Sequence, residues 1–70
     1  MYQPHDGDRV TVTRHHPTGR TSTWTGTLSA VSPTGFYLTG VDSRGHRYDG
    51  YLSSAAVLAR YGATQTITPA

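Results

Sequence analysis

Between Arg20 and Val31 the chain reads RTSTWTGTLSAV, and its side chains sort with a period of two. Thr21, Thr23, Thr25 and Thr27 fall on one side; Ser22, Trp24, Gly26 and Leu28 fall on the other. Alternate side chains of an extended chain point to opposite faces, so this pattern predicts a long β-strand. Thr suits an exposed pleated face, because its branched Cβ favours extended backbone. Trp24 and Leu28 are then expected to point inward, into a core. Gly26 between them lets the strand bend, or lets another backbone come close. The next apolar residue, Val31, is three positions beyond Leu28. That break in parity predicts a β-bulge near Ser29 or Ala30.

The rest of the chain repeats the theme at short intervals. After a leader at residues 1–7, expected to be loose and to end in a turn, DRVTVTRHH alternates, with Val10 and Val12 on one face. HPTGR (His16–Arg20) reads as a turn, as do SPTG (Ser32–Gly35) and DSRG (Asp42–Gly45). FYLTGV and HRYDGYL supply two further strands. In SSAAVLARY, Ser53 or Ser54 is placed to cap one helical turn. The segment 62–70, GATQTITPA, has little to pack and is expected to fray. Strands at such spacing, punctuated by Gly and Pro, predict one all-β domain over residues 8–61: a small barrel of about five strands, with a short helical turn before the last. Its expected core is Val10, Val12, Trp24, Leu28, Val31, Phe36, Leu38, Leu52, Val57 and Leu58.

Seventy residues hold one domain, and a chain of this size buries only about 60% of its unfolded surface. There is no cysteine, hence no disulfide and no thiolate metal site. All six basic residues are Arg and all four acids are Asp. Through the genetic code this bias points to a GC-rich genome, such as a bacterium's or its phage's. The net charge of +2 is compatible with a nucleic-acid partner. No apolar run reaches the length of a signal sequence or a membrane span, which predicts a cytoplasmic protein with no membrane partner.

The run WTGTLSAVSPTGFYLTGV, Trp24 to Val41, resembles small SH3-like and Sm-like barrels. It has a long bent strand with Gly26-x-Leu28 at the bend and Val31 beyond, a tight turn with Gly, then a strand of aromatic and aliphatic residues. The resemblance implies a fold. It carries over no RNA-contacting residue, because Ser32, Gly35 and Phe36 stand where the Sm-like motif has an Asp and a Met-Asn pair. LARYG (Leu58–Gly62) likewise lacks that family's second motif.

The candidate chemistry is that of a binding module. With no Cys, no Glu and no Gly-x-Ser-x-Gly elbow, an enzyme is not expected. Asp6, Asp8, Asp42 and Asp49 fit turn chemistry. His5, His15, His16 and His46 show no structural-zinc spacing, so neither metal nor other cofactor is expected. The strongest cluster is Arg44, His46, Arg47, Tyr48 and Tyr51, joined by Tyr37, Arg14 and Arg20. Arg contacts phosphate bidentately and Tyr gives an unpaired base a face to stack on. Nucleic acid is therefore the leading expected partner, in a regulatory or phage–host setting. The competing reading is a protein-interaction or self-associating module, a homo-oligomer included, with the same Tyr/Arg surface at its interface. Such an oligomer would also form clefts between protomers for a small anionic ligand.

Overall fold

Alternation becomes strand at every place where it occurs. The computed structural model describes residues 2–70 and contains β1 (Arg9–His15), β2 (Thr21–Ser32), β3 (Gly35–Asp42), β4 (Arg47–Ser53), α1 (Ala55–Ala59) and β5 (Thr64–Pro69). The strands form one antiparallel sheet in the order β4-β3-β2-β1-β5. The protein is thus all-β, with a single helical turn before its last strand. Ser54 caps that turn by accepting the Val57 N–H.

The register decides what faces inward. Val12 lies opposite Trp24, Val10 opposite Gly26, Leu28 opposite Leu38, and Phe36 opposite Leu52. Val10, Val12, Leu28, Phe36, Leu38 and Leu52 are buried as one cluster, with Tyr2, Trp24, Val31, Tyr48 and Ile67 packed partly buried around it. The sheet coils to enclose this cluster, and its tightest point is the pairing of Gly26 with Gly40. A Cβ on Gly26 would run into the Thr39 carbonyl and stand 2.8 Å from the Gly40 Cα. Of the two roles open to Gly26, close backbone approach is therefore directly visible.

The bulge sits where the parity break puts it. The β2–β3 register slips between Ser29 and Ser32, and Ala30 takes φ 51°. The left-handed region is costly for a residue with a Cβ, and the bulge is anchored from outside. The Val31 N–H donates to Asp6 Oδ1 at 2.8 Å.

Four expectations need correction. Val57 and Leu58 are half-buried and lie outside the core cluster, because the five-residue α1 buries no residue fully; Ala63 is buried in their vicinity of the chain instead. Trp24 and Val31, both expected in the core, are only partly buried at its margin. Residues 64–69, read as a fraying tail, are strand β5. Their alternation of Gln65 and Ile67 against Thr64, Thr66 and Thr68 pairs with β1, Ile67 opposite Val12. The leader is tied down: Gly7 N–H donates to the Leu28 carbonyl (2.8 Å), Leu28 N–H to the Asp8 carbonyl (2.9 Å), and the Tyr2 hydroxyl to Asp8 Oδ2 (2.6 Å). Met1 lies outside the described residues.

The sheet does not close through a β4–β5 ladder. The two edge strands are linked instead by one side chain, with Gln65 Nε2 donating to the Ser53 carbonyl at 3.0 Å. Among the described residues, no helix is long and apolar enough to cross a membrane.

Candidate functional site

Because neighbouring residues of a strand face opposite ways, the cluster Arg44–Tyr51 is split by the sheet. Tyr48 lies opposite Gly40, on the inner face with Leu52 and Phe36. Arg47, Asp49 and Tyr51 lie opposite Val41, Thr39 and Tyr37 on the outer face. Arg44 and His46 belong to the exposed β3–β4 turn. Arg20 is exposed at the start of β2, and Arg14 points inward from β1, opposite Ser22 and Gln65.

The inner group is a belt rather than a platform. Arg14 Nε and Nη2 donate to Gln65 Oε1 at 3.1 and 3.0 Å, while its guanidinium carbon stands 5.2 Å from the Trp24 ring centre. Partial burial lowers the Arg14 pKa, and nearby Tyr48 opposes part of that shift. Trp24 meets Tyr48 with ring centres 5.7 Å apart, tilted by 49°. The Tyr48 hydroxyl then donates to the Tyr51 carbonyl at 3.3 Å. One chain of contacts thus runs from β4 through β5, β1 and β2 back to β4. Tyr48 also lies over Gly50, which has no side chain of its own to cover the sheet.

This belt protects the β4 edge. Asp42 N–H bonds the His46 carbonyl and Ser54 N–H bonds the Thr34 carbonyl. By the alternation of an antiparallel ladder, Arg47, Asp49, Tyr51 and Ser53 turn their main-chain groups to the open side. Two of those four carbonyls, of Tyr51 and Ser53, are already occupied by Tyr48 and Gln65.

The outer group is exposed. Tyr37 and Tyr51 are 49% and 47% accessible and meet edge to face, with ring centres 5.8 Å apart at 71°. The Tyr51 hydroxyl reaches Thr34 Oγ1 at 3.4 Å, and the ring covers Gly35. Val41, 42% accessible, and Arg47 lie at the far end of the same two strands. Between them Asp49 accepts the Thr39 hydroxyl at 3.3 Å.

The acids leave the arginines free. Among the described residues the one ion pair is His5 Nδ1 with Asp8, at 3.8 Å. Asp42 is turned to its own turn instead, its Oδ1 accepting the Arg44 and His46 N–H groups at 2.9 Å each. Desolvation pushes the Asp42 pKa up, but the two amides and the adjacent His46 and Arg44 side chains outweigh it, so the net shift is downward. Among the described residues, no three His or Asp side chains gather as a metal site would require.

A cleft of about 320 Å³ opens beside the β3–β4 turn, lined by Arg20, Thr21, Ser22, Thr23, Trp24, Asp42, Ser43 and Arg44. Trp24, expected inward as core with a ligand platform as the alternative, walls this cleft, and Ser22, Ser43 and Gln65 are residues that sequence alone does not single out as candidates. The signal for Gln65 was present in TQTIT, whose alternation marks β5 and puts Gln65 in line with Ile67.

These features define a small all-β protein: one five-stranded antiparallel sheet with an exposed tyrosine pair and, among the described residues, no ion pair between an arginine and a carboxylate. Compared with known families, characterised proteins and solved structures, the chain matches none.

Proposed function

We propose that the outer face of β3 and β4 binds single-stranded nucleic acid, as a small non-catalytic module acting in the cytoplasm. The observation that carries this reading is the pair Tyr37 and Tyr51: directly opposite on adjacent strands, half-exposed, and set edge to face. Such rings offer a face to an unpaired base, worth about 1–3 kcal/mol per stacked base in known platforms. Arg47, four residues from Tyr51, and Arg44 in the adjoining turn supply cations for phosphate. The strand order and the helical turn before β5 support the finer reading of the fold as an SH3-like or Sm-like small barrel. Self-association through the sheet edges is less favoured, since side chains already occupy two of the outward carbonyls of β4.

The test is a fluorescence-polarisation titration of labelled single-stranded DNA, RNA and duplex DNA, from low to moderate salt. If two or three phosphates are neutralised, affinity for single strands should fall roughly seven- to twentyfold between about 50 and 200 mM salt. Tyr37→Ala and Arg47→Ala should each weaken binding. Tyr51 is a poorer first choice, because it also covers Gly35. Absence of binding to every probe at the lower salt would refute the proposal.

A further inference from the structure

The geometry points to a second site: the cleft at the start of β2 is a receptor for a small phosphate monoester, with the phosphate held between Arg20 and Arg44 and the body of the ligand against Trp24. It shares Arg44 with the proposed nucleic-acid face, but its other lining residues lie off the outer face of β3 and β4, and it does not rest on the nucleic-acid reading.

The cleft exists because β2 is longer than its neighbour. The last β3 residue to pair is Asp42, opposite Trp24, so Thr21, Ser22 and Thr23 extend past the end of β3. The carbonyls of Arg20 and Leu28 bond toward the β1 side. By ladder alternation Thr21 and Thr23 turn their N–H and C=O groups toward the β3 side, where the Trp24–Asp42 pair still sets Ser43 beside Thr23 and only Thr21 lies clear of the strand. Main-chain N–H groups without a sheet partner are strong donors for an anion.

Two cations stand at the same opening, from two different turns. Arg20 ends the β1–β2 turn and Arg44 lies in the β3–β4 turn, and both line the cleft. Neither has a carboxylate partner. Asp42, also in the lining, has its Oδ1 committed to two backbone amides. Two guanidinium groups against one carboxylate leave one net positive charge here. The hydroxyls of Thr23 and Ser43 add polar partners, those of Thr21 and Ser22 being already bonded to His15 Nδ1 and His16 Nε2, and Trp24 is the sole apolar wall. A donor set this rich suits a tetrahedral dianion with several acceptor oxygens better than a single carboxylate. The indole is held in place by Arg14 at 5.2 Å and by Tyr48 at 5.7 Å, neither of which lines the cleft.

The molecule carries its own reporter, because Trp24 is its only tryptophan. The experiment is an intrinsic-fluorescence titration of the full chain with AMP, ribose 5-phosphate, inorganic phosphate and adenosine, repeated by isothermal calorimetry so that no result depends on the indole alone. AMP or ribose 5-phosphate should bind saturably and more tightly than inorganic phosphate, and adenosine should not bind. Arg20→Ala and Arg44→Ala should each weaken binding about tenfold, as expected for loss of a charge-assisted hydrogen bond. Both side chains are exposed, so the variants should fold; Tyr37→Ala should leave the affinity unchanged. Adenosine binding as well as AMP, inorganic phosphate binding as tightly as the esters, a response that survives the double substitution, or no heat and no signal with any phosphate would each overturn the assignment.

Discussion

Replacing Gly26 with Ala tests the point on which the coiling of the sheet depends. The added methyl would collide with the Thr39 carbonyl and lie 2.8 Å from the Gly40 Cα, about 1 Å inside an ordinary carbon–carbon contact. Neither strand can retreat cheaply, because two residues further along the fully buried Leu28 and Leu38 are paired across the same ladder. Overpacking of this kind costs typically about 1–3 kcal/mol, and more where backbone must move. Loss of glycine's freedom in the unfolded chain returns about 0.4–1 kcal/mol. We therefore expect a net loss of about 2 kcal/mol or more, against a total of roughly 3.5–10 kcal/mol for a chain this long. In a domain of this size that lowers Tm by on the order of 10 °C. The assay is thermal unfolding followed by circular dichroism, with Gly45→Ala as the control. Gly45 has open space around it and φ +80°, so its variant should show only the left-handed backbone penalty of about 1–2 kcal/mol. A Gly26→Ala protein that melts within a degree or two of the parent would refute the close approach of β2 and β3.

Three further outcomes follow from the same contacts. Gln65→Leu should destabilise the protein by about 1–3 kcal/mol in urea unfolding, because it strips the half-buried Arg14 of its acceptor and frees the Ser53 carbonyl; an unchanged midpoint would show that the belt adds nothing. The Tyr2–Asp8 bond gives two pH limits. Its hydrogen bonds from the Tyr2 hydroxyl and His5 N–H hold the Asp8 carboxyl below its ordinary value, so its stabilising effect is present above about pH 4 and is lost as pH falls through the lower folded value. The same bond pushes Tyr2 up to about 12; that contribution is complete below about pH 10 and is lost as pH rises toward that figure. Titrating stability in the parent and in Tyr2→Phe should show the alkaline limit in the parent alone and a weaker acid limit in the variant, where the His5 N–H still bonds Asp8. Asp49→Asn, which removes the one acid from between Arg47 and Tyr51, should tighten oligonucleotide binding several-fold, on the order of the 1 kcal/mol that a unit charge exerts through water at contact range; weaker binding would mean that nucleic acid does not cross that row.

Much of the fold is legible in single residues. The parity break before Val31 locates the bulge, and Gly26 marks the tight point of the sheet. What is not legible depends on distance in three dimensions. GATQTITPA looks unable to pack because its apolar content is low, yet Ile67 needs only Val12 opposite it to become part of a sheet. The leader looks loose by composition; its order comes from local bonds of Tyr2 and His5 to Asp8 and from Leu28 and Val31, twenty or more residues away. Val57 and Leu58 look like core by type, but a helix of five residues cannot direct both inward. The candidate site fails in an instructive way. Residues 44–51 are close in sequence, and alternation then sends Tyr48 to one face and Arg47 and Tyr51 to the other.

That separation has a physical consequence for how the two faces can change. On the inner face Trp24, Tyr48, Arg14 and Gln65 each touch one another or the main chain, so a substitution there perturbs the belt and the β4 edge together. On the outer face Tyr37, Val41, Arg47 and Asp49 share neighbours only through the row they lie in, and their substitution leaves the inner contacts intact. Affinity on the outer face should therefore vary with little change in stability, whereas inner substitutions should move both the melting temperature and the cleft beside Trp24. A paired survey of melting and binding across Tyr37→Ala, Arg47→Ala, Arg14→Ala and Gln65→Leu separates the two cases. The first two should lower oligonucleotide binding with little change in melting, because the outer row shares no partner with the inner belt; the last two should lower melting and weaken phosphate-ester binding beside Trp24 together.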